Sequence, residues 1–328
     1  MLRAMERSVV RIHRTGGPDV LSFETEALPA PAEGEVQLRQ TAIGLNFIDV
    51  YHRTGLYPLP LPAVLGREAA GTVEAVGSGV TALRPGMRVA YPMAGDAYAT
   101  ARNIRADHVV PLPDGIEDRQ AAGMMLKGLT AWYLLRRTFP VTRGTSVLVH
   151  AAAGGVGLIA CQWAAALGAT VLGTVGSGAK AELAASHGCK HPIVYTEEDF
   201  VTRVRALTGG RGVDVVYDSV GKDTFPRSLD CLRPKGLVAL FGQSSGPVPP
   251  FDLQVLAQKG SLFVTRPSLA AYIAEKAELQ AGAAELFEAV ARGDVKIEIG
   301  HTYPLREIQQ AHRDLEARKT TGSTILLP

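Results

Sequence analysis

Residues 146–180 read SVLVHAAAGGVGLIACQWAAALGATVLGTVGSGAK, and this stretch decides the fold. A short apolar segment that ends at His150 predicts a buried strand, and a glycine-rich turn follows it. The next segment, LIACQWAAALG, predicts a helix that ends at Gly168, where a glycine C-cap belongs. The segment ATVLGTVG then predicts a second strand. This order of strand, turn, helix and strand indicates a βαβ unit in a parallel sheet.

The turn between the first strand and the helix matches a dinucleotide-binding fingerprint. Ala152 occupies the first glycine place, and Gly154 and Gly157 occupy the other two. A glycine at 154 lets the backbone approach a pyrophosphate, and a glycine at 157 lets the helix pack on the strand. The helix N-terminus supplies N–H groups and the positive end of the helix dipole. We therefore expect Gly154, Gly155 and Val156 to bind a dinucleotide.

The second strand indicates which nicotinamide cofactor is bound. NAD sites place an acidic residue about 20 residues beyond the glycines, where it binds the ribose 2′-hydroxyl. Residues 173–180 read GTVGSGAK, and the first acid, Glu182, lies in the next predicted helix. Lys180 can instead pair with a 2′-phosphate, and Ser177 beside Gly176 can hydrogen-bond it. The sequence therefore predicts NADPH rather than NADH.

A long uncharged stretch surrounds this motif. Residues 144–179 contain no Asp, Glu, Lys or Arg, which is long enough for a membrane helix. The stretch holds eight glycines and changes its hydrophobic period midway, however. We therefore expect a buried βαβ unit and no membrane segment.

The rest of the chain falls into a β-rich part and an alternating part. Up to about residue 125, short strands are separated by turns, which predicts a barrel or a partly open sandwich that begins with a hairpin around residues 16–18. From about residue 118 to Pro267, helices and strands alternate, with a helical return predicted over DTFPRSLDCLRPKG. The remainder predicts helix, strand, helix and strand. The fold class is therefore α/β, a β-rich domain plus a doubly wound parallel sheet.

Composition excludes several classes of protein. The 328 residues carry 34 basic and 32 acidic side chains, so binding to nucleic acid is not expected. The three cysteines (Cys161, Cys189 and Cys231) lie far apart, which argues against a disulfide framework and a structural zinc site. They also fit a reducing compartment.

The N-terminal sequence MLRAMERSVVRIHRTGG lacks the apolar region of a secretory signal. It is rich in arginine, as transit peptides are, but Glu6 and the strand-like SVVRIH favour a cytoplasmic protein. Either Met1 or Met5 can be the start.

Several segments together resemble one known family, the zinc-free medium-chain dehydrogenase/reductases and, within it, the NADPH:quinone oxidoreductases of the zeta-crystallin type. The similarity runs essentially end to end and rests on AIGLNFIDVYHRTGLYP (42–58), GREAAGTVEAVGSGV (66–80), LKGLTAWYLLR (126–136), HAAAGGVGLIACQWAAALGA (150–169), VVYDSVG (215–221) and GSLFVTRPSL (260–269). The resemblance implies a GroES-like catalytic domain of residues 1–126 completed by 268–328, and a Rossmann NADPH-binding domain of residues 127–267.

The resemblance also separates this chain from zinc-dependent relatives. Those relatives place a Cys where this chain has Asn46, and Gly-His-Glu where it has Gly66, Arg67 and Glu68. They carry a four-cysteine lobe, for which the segment after Tyr91 has no cysteine. Because Asn and Arg are not zinc ligands, no metal is expected.

A quinone is a good hydride acceptor that needs orientation and stabilisation of its developing oxyanion rather than a Lewis acid. By resemblance, Asn46 and Tyr51 line the nicotinamide end of the site. We expect Asn46 to donate a hydrogen bond, and Tyr51 to donate its O–H and present its ring to the quinone. Glu68 is expected in a structural charge pair with Arg67 or a neighbouring arginine.

The resemblance implies further cofactor contacts, mostly at the carboxyl ends of parallel strands. Thr130 and Tyr133 are expected near the nicotinamide, and Tyr195 beside Lys180 near the 2′-phosphate. The others are Ser219, Val220, Phe241, Gly242, Ser244, Val264, Thr265, Arg266, Pro267 and, as a phosphate-contacting residue, Arg318.

The sequence leaves two alternative functions open, and it also suggests how the chain assembles. The same pocket residues serve a 2-alkenal or enone reductase as well as a quinone reductase. A non-catalytic protein that binds RNA or acts as a lens crystallin is the alternative of another class, although no basic cluster interleaves with aromatic residues. The apolar segment GSLFVTRP predicts an edge strand, where the family resemblance implies a twofold homodimer.

Overall fold

The computed structural model describes residues 5–328, so the choice between Met1 and Met5 as the start lies partly outside the described residues. The chain divides into two compact units. The first comprises the chain up to Lys127 with Ile273–Phe287 and Ile297–Pro328, and the second comprises Gly128–Tyr272 with Glu288–Lys296. Residues 268–272 and Glu288–Lys296 thus group with the second unit, whereas the sequence assigned all of 268–328 to the first domain.

The strands are β1 (Met5–Ile12), β2 (Ser22–Leu28), β3 (Glu35–Leu45), β4 (Ala63–Val64), β5 (Glu68–Val76), β6 (Arg88–Tyr91), β7 (Ala101–Arg105), β8 (Val110–Pro111), β9 (Ser146–Val149), β10 (Thr170–Val175), β11 (His191–Val194), β12 (Val213–Asp218), β13 (Leu232–Leu240), β14 (Phe263–Thr265), β15 (Ile299–Pro304) and β16 (Ser323–Leu327). The α-helices are α1 (Phe47–Thr54), α2 (Asp118–Tyr133), α3 (Gly155–Ala166), α4 (Gly178–Ser186), α5 (Phe200–Leu207), α6 (Phe225–Ser228), α7 (Gln254–Gln258), α8 (Leu269–Tyr272), α9 (Lys276–Ala291) and α10 (Ile308–Glu316). A π-helical turn, Leu134–Thr138, continues α2.

The first unit is built on β-sheets. Strands β2, β1 and β4 form one antiparallel sheet, and the predicted hairpin is confirmed by the β1–β2 pairing. A second sheet has the order β15-β16-β3-β5-β6-β8, with β7 also paired to β3. Strand β3 is long because EVQLRQTAIGL alternates polar and apolar residues before it enters the core. The buried side chains of both sheets form a single cluster that includes Val9, Leu38 and Tyr98.

The second unit is a parallel sheet with helices between its strands. Its strand order is β11-β10-β9-β12-β13-β14, and every neighbouring pair is parallel. The predicted Rossmann-type sheet is therefore confirmed. The order reverses between β9 and β12, which is the switch point where open parallel sheets bind ligands at the carboxyl ends of the strands.

One local prediction was wrong, and one helix was not predicted. The helical return predicted over DTFPRSLDCLRPKG ends at Ser228 and a short 3₁₀ turn, because β13 already begins at Leu232. The register between β12 and β13 shifts beside this early part of the strand, where Lys235 adopts a left-handed conformation (φ +61°). In the β-rich part, helix α1 went unpredicted.

The uncharged stretch 144–179 forms β9, α3 and β10, as predicted. Within residues 5–328, no helix combines the length and the apolar composition needed to cross a lipid bilayer.

Candidate functional site

The glycine-rich turn lies between β9 and α3, and backbone hydrogen bonds hold it on the sheet. The His150 N–H donates to the Tyr217 carbonyl at 3.0 Å, and the Ala152 N–H donates to the Thr174 carbonyl at 3.0 Å. Gly154 is the N-cap of α3 in an extended conformation. The first N–H groups of α3 have no acceptor inside the helix, so they are available to an anion.

Two glycines keep the turn closed. A Cβ added to Gly157 would lie 2.3 Å from the Ala151 carbonyl oxygen and 2.8 Å from the Ala152 backbone. A Cβ on Gly173 of β10 would lie 2.6 Å from the Ala152 Cβ. Ala151 itself adopts a left-handed conformation (φ +54°), which is costly for a residue with a side chain. The turn therefore has the close packing and the backbone strain that are typical of a pyrophosphate cradle.

Three residues predicted for the adenosine end lie close together around Gly176. Ser177 is the N-cap of α4, and its hydroxyl accepts from the Lys180 N–H at 3.4 Å. The Tyr195 hydroxyl would lie 2.9 Å from a Cβ on Gly176, and 43% of the Tyr195 side chain is exposed. The Ser177 hydroxyl and the Lys180 backbone thus lie at the start of α4, after β10, and the Tyr195 hydroxyl lies beside Gly176 at the carboxyl end of β11.

Asp218, at the end of β12, is fully buried and braces the next loop. Its Oδ1 accepts from the N–H groups of Val220 at 2.8 Å and Gly221 at 3.0 Å, and the Thr224 hydroxyl contacts both carboxylate oxygens at 2.8 Å. The loops after β12 and β13 then pack together. The Ser244 N–H donates to the Ser219 carbonyl at 3.1 Å.

Gly242 makes this close approach of the two loops possible. A Cβ at this position would lie 2.6 Å from the Ser219 carbonyl oxygen. Phe241, just before it, donates its N–H to the Asp218 carbonyl at 2.8 Å. The predicted strand-end residues 219, 220, 241, 242 and 244 are therefore brought together.

His150 completes this network from β9. Its Nδ1 lies 2.8 Å from the Thr174 hydroxyl and its Nε2 lies 2.9 Å from the Ser228 hydroxyl. Burial lowers the pKa of His150. Both ring nitrogens are therefore partnered, which gives His150 a structural role.

The remaining predicted residues of the second unit are spread over β14 and α2. Val264 and Thr265 are half-buried on β14, and Arg266 donates to the Leu240 carbonyl at 2.9 Å. Pro267 is buried. Val264 and Thr265 thus lie in the edge strand β14, which pairs with β13, and Arg266 and Pro267 come directly after it.

Thr130 and Tyr133 are buried on α2. The Tyr133 ring stacks on Tyr272 at 4.5 Å between centroids, and burial raises the pKa of its hydroxyl.

In the first unit, Asn46 and Tyr51 belong to helix α1. Asn46 is the buried N-cap, and its N–H donates to Asp49 Oδ2 at 2.9 Å. Tyr51 lies one turn further on, with 8% of its side chain exposed and its ring edge-on to Tyr57 at 5.1 Å. The helix ends at Gly55 in a left-handed conformation (φ +82°). The cap and the C-terminal glycine were the signals that sequence reasoning missed.

Glu68 does form a charge pair, but the arginine partner expected from the sequence was wrong. Glu68 Oε1 lies 2.7 Å from the Lys127 ammonium and accepts from Asn46 Nδ2 at 2.8 Å. Arg67 instead donates to His52 Nε2 at 2.9 Å. Arg67 precedes β5, which begins at Glu68, and the two neighbouring side chains have different partners.

A directional chain of hydrogen bonds runs from α10 to α1. The Arg53 guanidinium lies 2.9 Å from His312 Nδ1, so this nitrogen must be the acceptor and His312 carries its proton on Nε2. Nε2 lies 3.1 Å from the Tyr98 hydroxyl, which donates to Asp49 Oδ2 at 2.9 Å. Arg53 also pairs with Glu316 at 2.7 Å.

This chain is buried, and burial controls its charges. Burial and the nearby Arg53 lower the pKa of His312 to about 3, so the imidazole is neutral. Burial raises the pKa of Asp49 to about 7. No sequence signal connects α1, Tyr98 and α10, because these three parts of the network lie far apart along the chain.

Arg318 follows α10 in the first unit. It is exposed and adopts a left-handed conformation (φ +58°). The three cysteines are buried free thiols. Among residues 5–328, no group of three or more His, Cys, Asp or Glu side chains is placed to hold a metal ion.

The chain is similar to known oxidoreductases along nearly its whole length. Residues 32–138 match the family described as alcohol dehydrogenase GroES-like domain, and residues 155–287 match the family described as zinc-binding dehydrogenase. The chain is 53% identical to a quinone oxidoreductase from Pseudomonas aeruginosa, covering 95% of this chain and 97% of that protein. It is 48% identical to a 2-haloacrylate reductase from Burkholderia sp, covering 97% and 98%.

The similarity extends to a solved structure. The fold matches Escherichia coli quinone oxidoreductase complexed with NADPH with a TM-score of 0.96 and 51% identity, covering 98% of this chain and 100% of that chain.

Proposed function

Because the chain belongs to the quinone oxidoreductase family of zinc-free medium-chain dehydrogenase/reductases, we propose that it reduces quinones with NADPH and without a metal. One observation carries the metal-free part of the proposal. Where zinc-dependent relatives place Cys and His ligands, this chain has Asn46, bound to Glu68, and Arg67, bound to His52. Neither side chain is a zinc ligand.

The residues of the second unit fit the cofactor. The closed turn at Gly157 presents the N-terminus of α3, with Gly154, Gly155 and Val156, to a pyrophosphate. Lys180, in the first turn of α4 after β10, supplies a positive charge for a 2′-phosphate, and the exposed Tyr195 follows the neighbouring strand β11. Bound NADPH supplies the hydride.

Further cofactor contacts are part of the proposal. The braced loops after β12 and β13 offer backbone groups, and β14 lies beside them. The proposed contacts are Gly176, Ser177, Ser219, Val220, Phe241, Gly242, Ser244, Val264, Thr265, Arg266 and Pro267, together with Thr130, Tyr133 and Arg318.

Asn46 and Tyr51 orient the quinone in this proposal. Asn46 Nδ2 has two N–H groups, of which Glu68 takes one at 2.8 Å, while Gly44 offers the other only a long 3.5 Å contact. The second N–H is therefore suited to an oxygen that gains negative charge. Tyr51 contributes its O–H and its ring face. Product oxygens take protons from solvent.

The test compares substrate classes with the purified protein. NADPH oxidation is measured with 1,4-benzoquinone, with a 2-alkenal and with a 2-chloroacrylate. We expect the highest kcat/KM for the quinone. The 48% identity to the Burkholderia enzyme makes a 2-haloacrylate or enone reductase the second candidate, and a higher kcat/KM on either conjugated acid or aldehyde supports that candidate instead.

The cofactor preference rests on Lys180. Replacing Lys180 by Ala removes the proposed partner of the 2′-phosphate, whereas NADH carries no such phosphate. We expect the KM for NADPH to rise about tenfold or more while the KM for NADH stays within about twofold. Equal changes for both cofactors contradict this assignment.

We also propose a homodimer joined at strand β14. Phe263 on this edge strand is 59% exposed, and Leu253 and Phe251 are exposed in the same unit. Phe263→Asp is expected to convert a dimer into a monomer in light scattering, and a monomeric unaltered protein at micromolar concentration rejects the proposal. The buried free thiols support a cytoplasmic location, which cell fractionation tests.

A further inference from the structure

A buried ion pair, Lys127 and Glu68, contacts the side chain of Asn46. The Lys127 ammonium contacts Glu68 Oε1 at 2.7 Å, and the side chains of Lys127 and Glu68 are only 7% and 0% exposed. The same carboxylate oxygen accepts from Asn46 Nδ2 at 2.8 Å, and Oε2 accepts from the Leu126 N–H at 2.6 Å. The two nitrogens of Lys127 and Asn46 are therefore neighbours around one oxygen.

The backbone leaves space for this carboxylate. A Cβ on Gly44 would lie 2.2 Å from Glu68 Oε1 and 2.3 Å from the Ala122 carbonyl oxygen. Glycine at this point of β3 thus lets the carboxylate sit between β3 and α2. The carboxylate is held from three sides: by a side-chain ammonium, a side-chain amide and a backbone N–H.

The pair orients Asn46. An ionised carboxylate only accepts hydrogen bonds, so the amide of Asn46 must turn its nitrogen toward Glu68. Lys127 is the cation in contact with this buried carboxylate, and such a partner offsets the cost of burying the charge. Buried ion pairs add little net stability compared with apolar packing. What this pair does supply is a fixed acceptor for the Asn46 amide.

We propose that Lys127 is a positioning residue for the reaction: its ammonium holds the Glu68 carboxylate, which in turn fixes the Asn46 amide for the substrate oxygen. This inference rests on the proposed function, because it assigns how the Asn46 amide of that same site is aimed.

The test uses Lys127→Met in the full-length protein and in an Asn46→Ser background. Serine keeps an N-cap oxygen for α1 but removes the amide nitrogen. Lys276→Met is the matched control, since Lys276 is an exposed lysine of the same unit paired with Asp107. For each protein we measure kcat and KM for 1,4-benzoquinone, the Kd for NADPH and the melting temperature. Lys127→Gln, which keeps an N–H donor without the charge, serves if the Met variant does not fold.

We expect Lys127→Met to lower kcat about 10- to 100-fold, the effect of losing a hydrogen bond to a charged group, with the Kd for NADPH within about twofold. In the Asn46→Ser background the same substitution is expected to change kcat less than about twofold, because residues that act through each other are not additive. Lys276→Met leaves all values unchanged.

Three results overturn the positioning role: unchanged kcat in Lys127→Met, an equal loss in both backgrounds, or failure of both the Met and Gln variants to fold, which makes the pair structural. If the unaltered protein turns over quinone, these results leave the proposed function intact. Absence of turnover in the unaltered protein counts against the proposed function. The positioning role is then rejected as well, because it depends on that function.

Discussion

Gly157 lies where helix α3 packs on the glycine-rich turn, and its replacement by alanine tests how that turn is held. The added Cβ would lie 2.3 Å from the Ala151 carbonyl oxygen and 2.8 Å from two backbone atoms of Ala152. Because all three are backbone atoms, no side-chain rotation relieves the contacts. Overpacking of this kind costs about 1–3 kcal/mol. For a domain of this size, that corresponds to a fall in melting temperature of about 3–10 °C.

The same substitution is expected to weaken NADPH binding. The alanine pushes the N-terminus of α3 away from the strand end, so its N–H groups no longer converge on the pyrophosphate. We expect the Kd for NADPH to rise about tenfold or more, measured by quenching of tryptophan fluorescence. Thermal unfolding is followed by circular dichroism on the same samples.

Gly154→Ala is the matched control in the same turn. Gly154 has an ordinary φ of −82°, and its added Cβ would meet one atom, the Ala151 carbonyl oxygen, at 3.2 Å. We expect its unfolding free energy to change by less than about 1 kcal/mol. NADPH affinity is nevertheless expected to fall, because the methyl group keeps the backbone from the pyrophosphate. A Gly157→Ala protein with the melting temperature and NADPH affinity of the unaltered chain would show that Gly157 is not needed to close the turn or to bind NADPH.

Three further predictions concern the buried networks. Tyr98→Phe removes the hydroxyl between Asp49 and His312. We expect the free energy of unfolding, measured with denaturant, to fall by about 1.5–3 kcal/mol. A fall of less than about 0.5 kcal/mol contradicts this prediction. Burial and Arg53 lower the pKa of His312 to about 3, so the unfolded chain binds this proton at a higher pH than the folded chain does. The contribution of His312 to stability should therefore fall as pH is lowered from about 6.5 toward about 3, by up to about 1.4 kcal/mol per pH unit, and His312→Gln should remove this contribution from the pH curve; parallel pH curves for the two proteins contradict it. Asp218→Asn weakens the bracing of the loop after β12, so both the melting temperature and the affinity for NADPH should fall in titrations, and unchanged NADPH affinity is the opposing outcome.

The parallel sheet was predictable because its signals are local. Strand β9, the turn and helix α3 follow one another within a short stretch, and each carries its own pattern of apolar residues or glycine. Gly157 could be assigned to helix–strand packing for the same reason. The structure adds the atoms that such a glycine avoids, which are the backbone atoms of Ala151 and Ala152.

Helix α1 was missed although its end signals were present. Asn46 and Asp49 have the spacing of a helix N-cap and its N3 residue, and Gly55 stands where the helix ends. The strand patterns on both sides of this short helix are more pronounced, so the region reads as part of the β-rich domain. The start of strand β13 was also missed. Pro234 and Gly236 are typical of a turn, so the sequence predicts no strand before them, but both residues lie within β13.

The polar networks could not be predicted. Glu68 and Lys127 are 59 residues apart, and Arg53 and His312 are 259 residues apart. Contacts of this kind arise only when the sheets and helices of a unit have packed, so neither periodicity nor spacing reveals them. The sequence did indicate that Glu68 needs a cationic partner, but it pointed to arginine.

Metal-free reduction of quinones by NADPH is tested most directly with the protein stripped of metal ions. The purified chain, dialysed against a strong chelator, is mixed with NADPH and 1,4-benzoquinone, and nicotinamide absorbance and hydroquinone are followed together. We predict steady oxidation of NADPH, with one hydroquinone formed per NADPH and with the same kcat before and after chelation. Absence of quinone-dependent NADPH oxidation, or a loss of activity that added zinc restores, would contradict it.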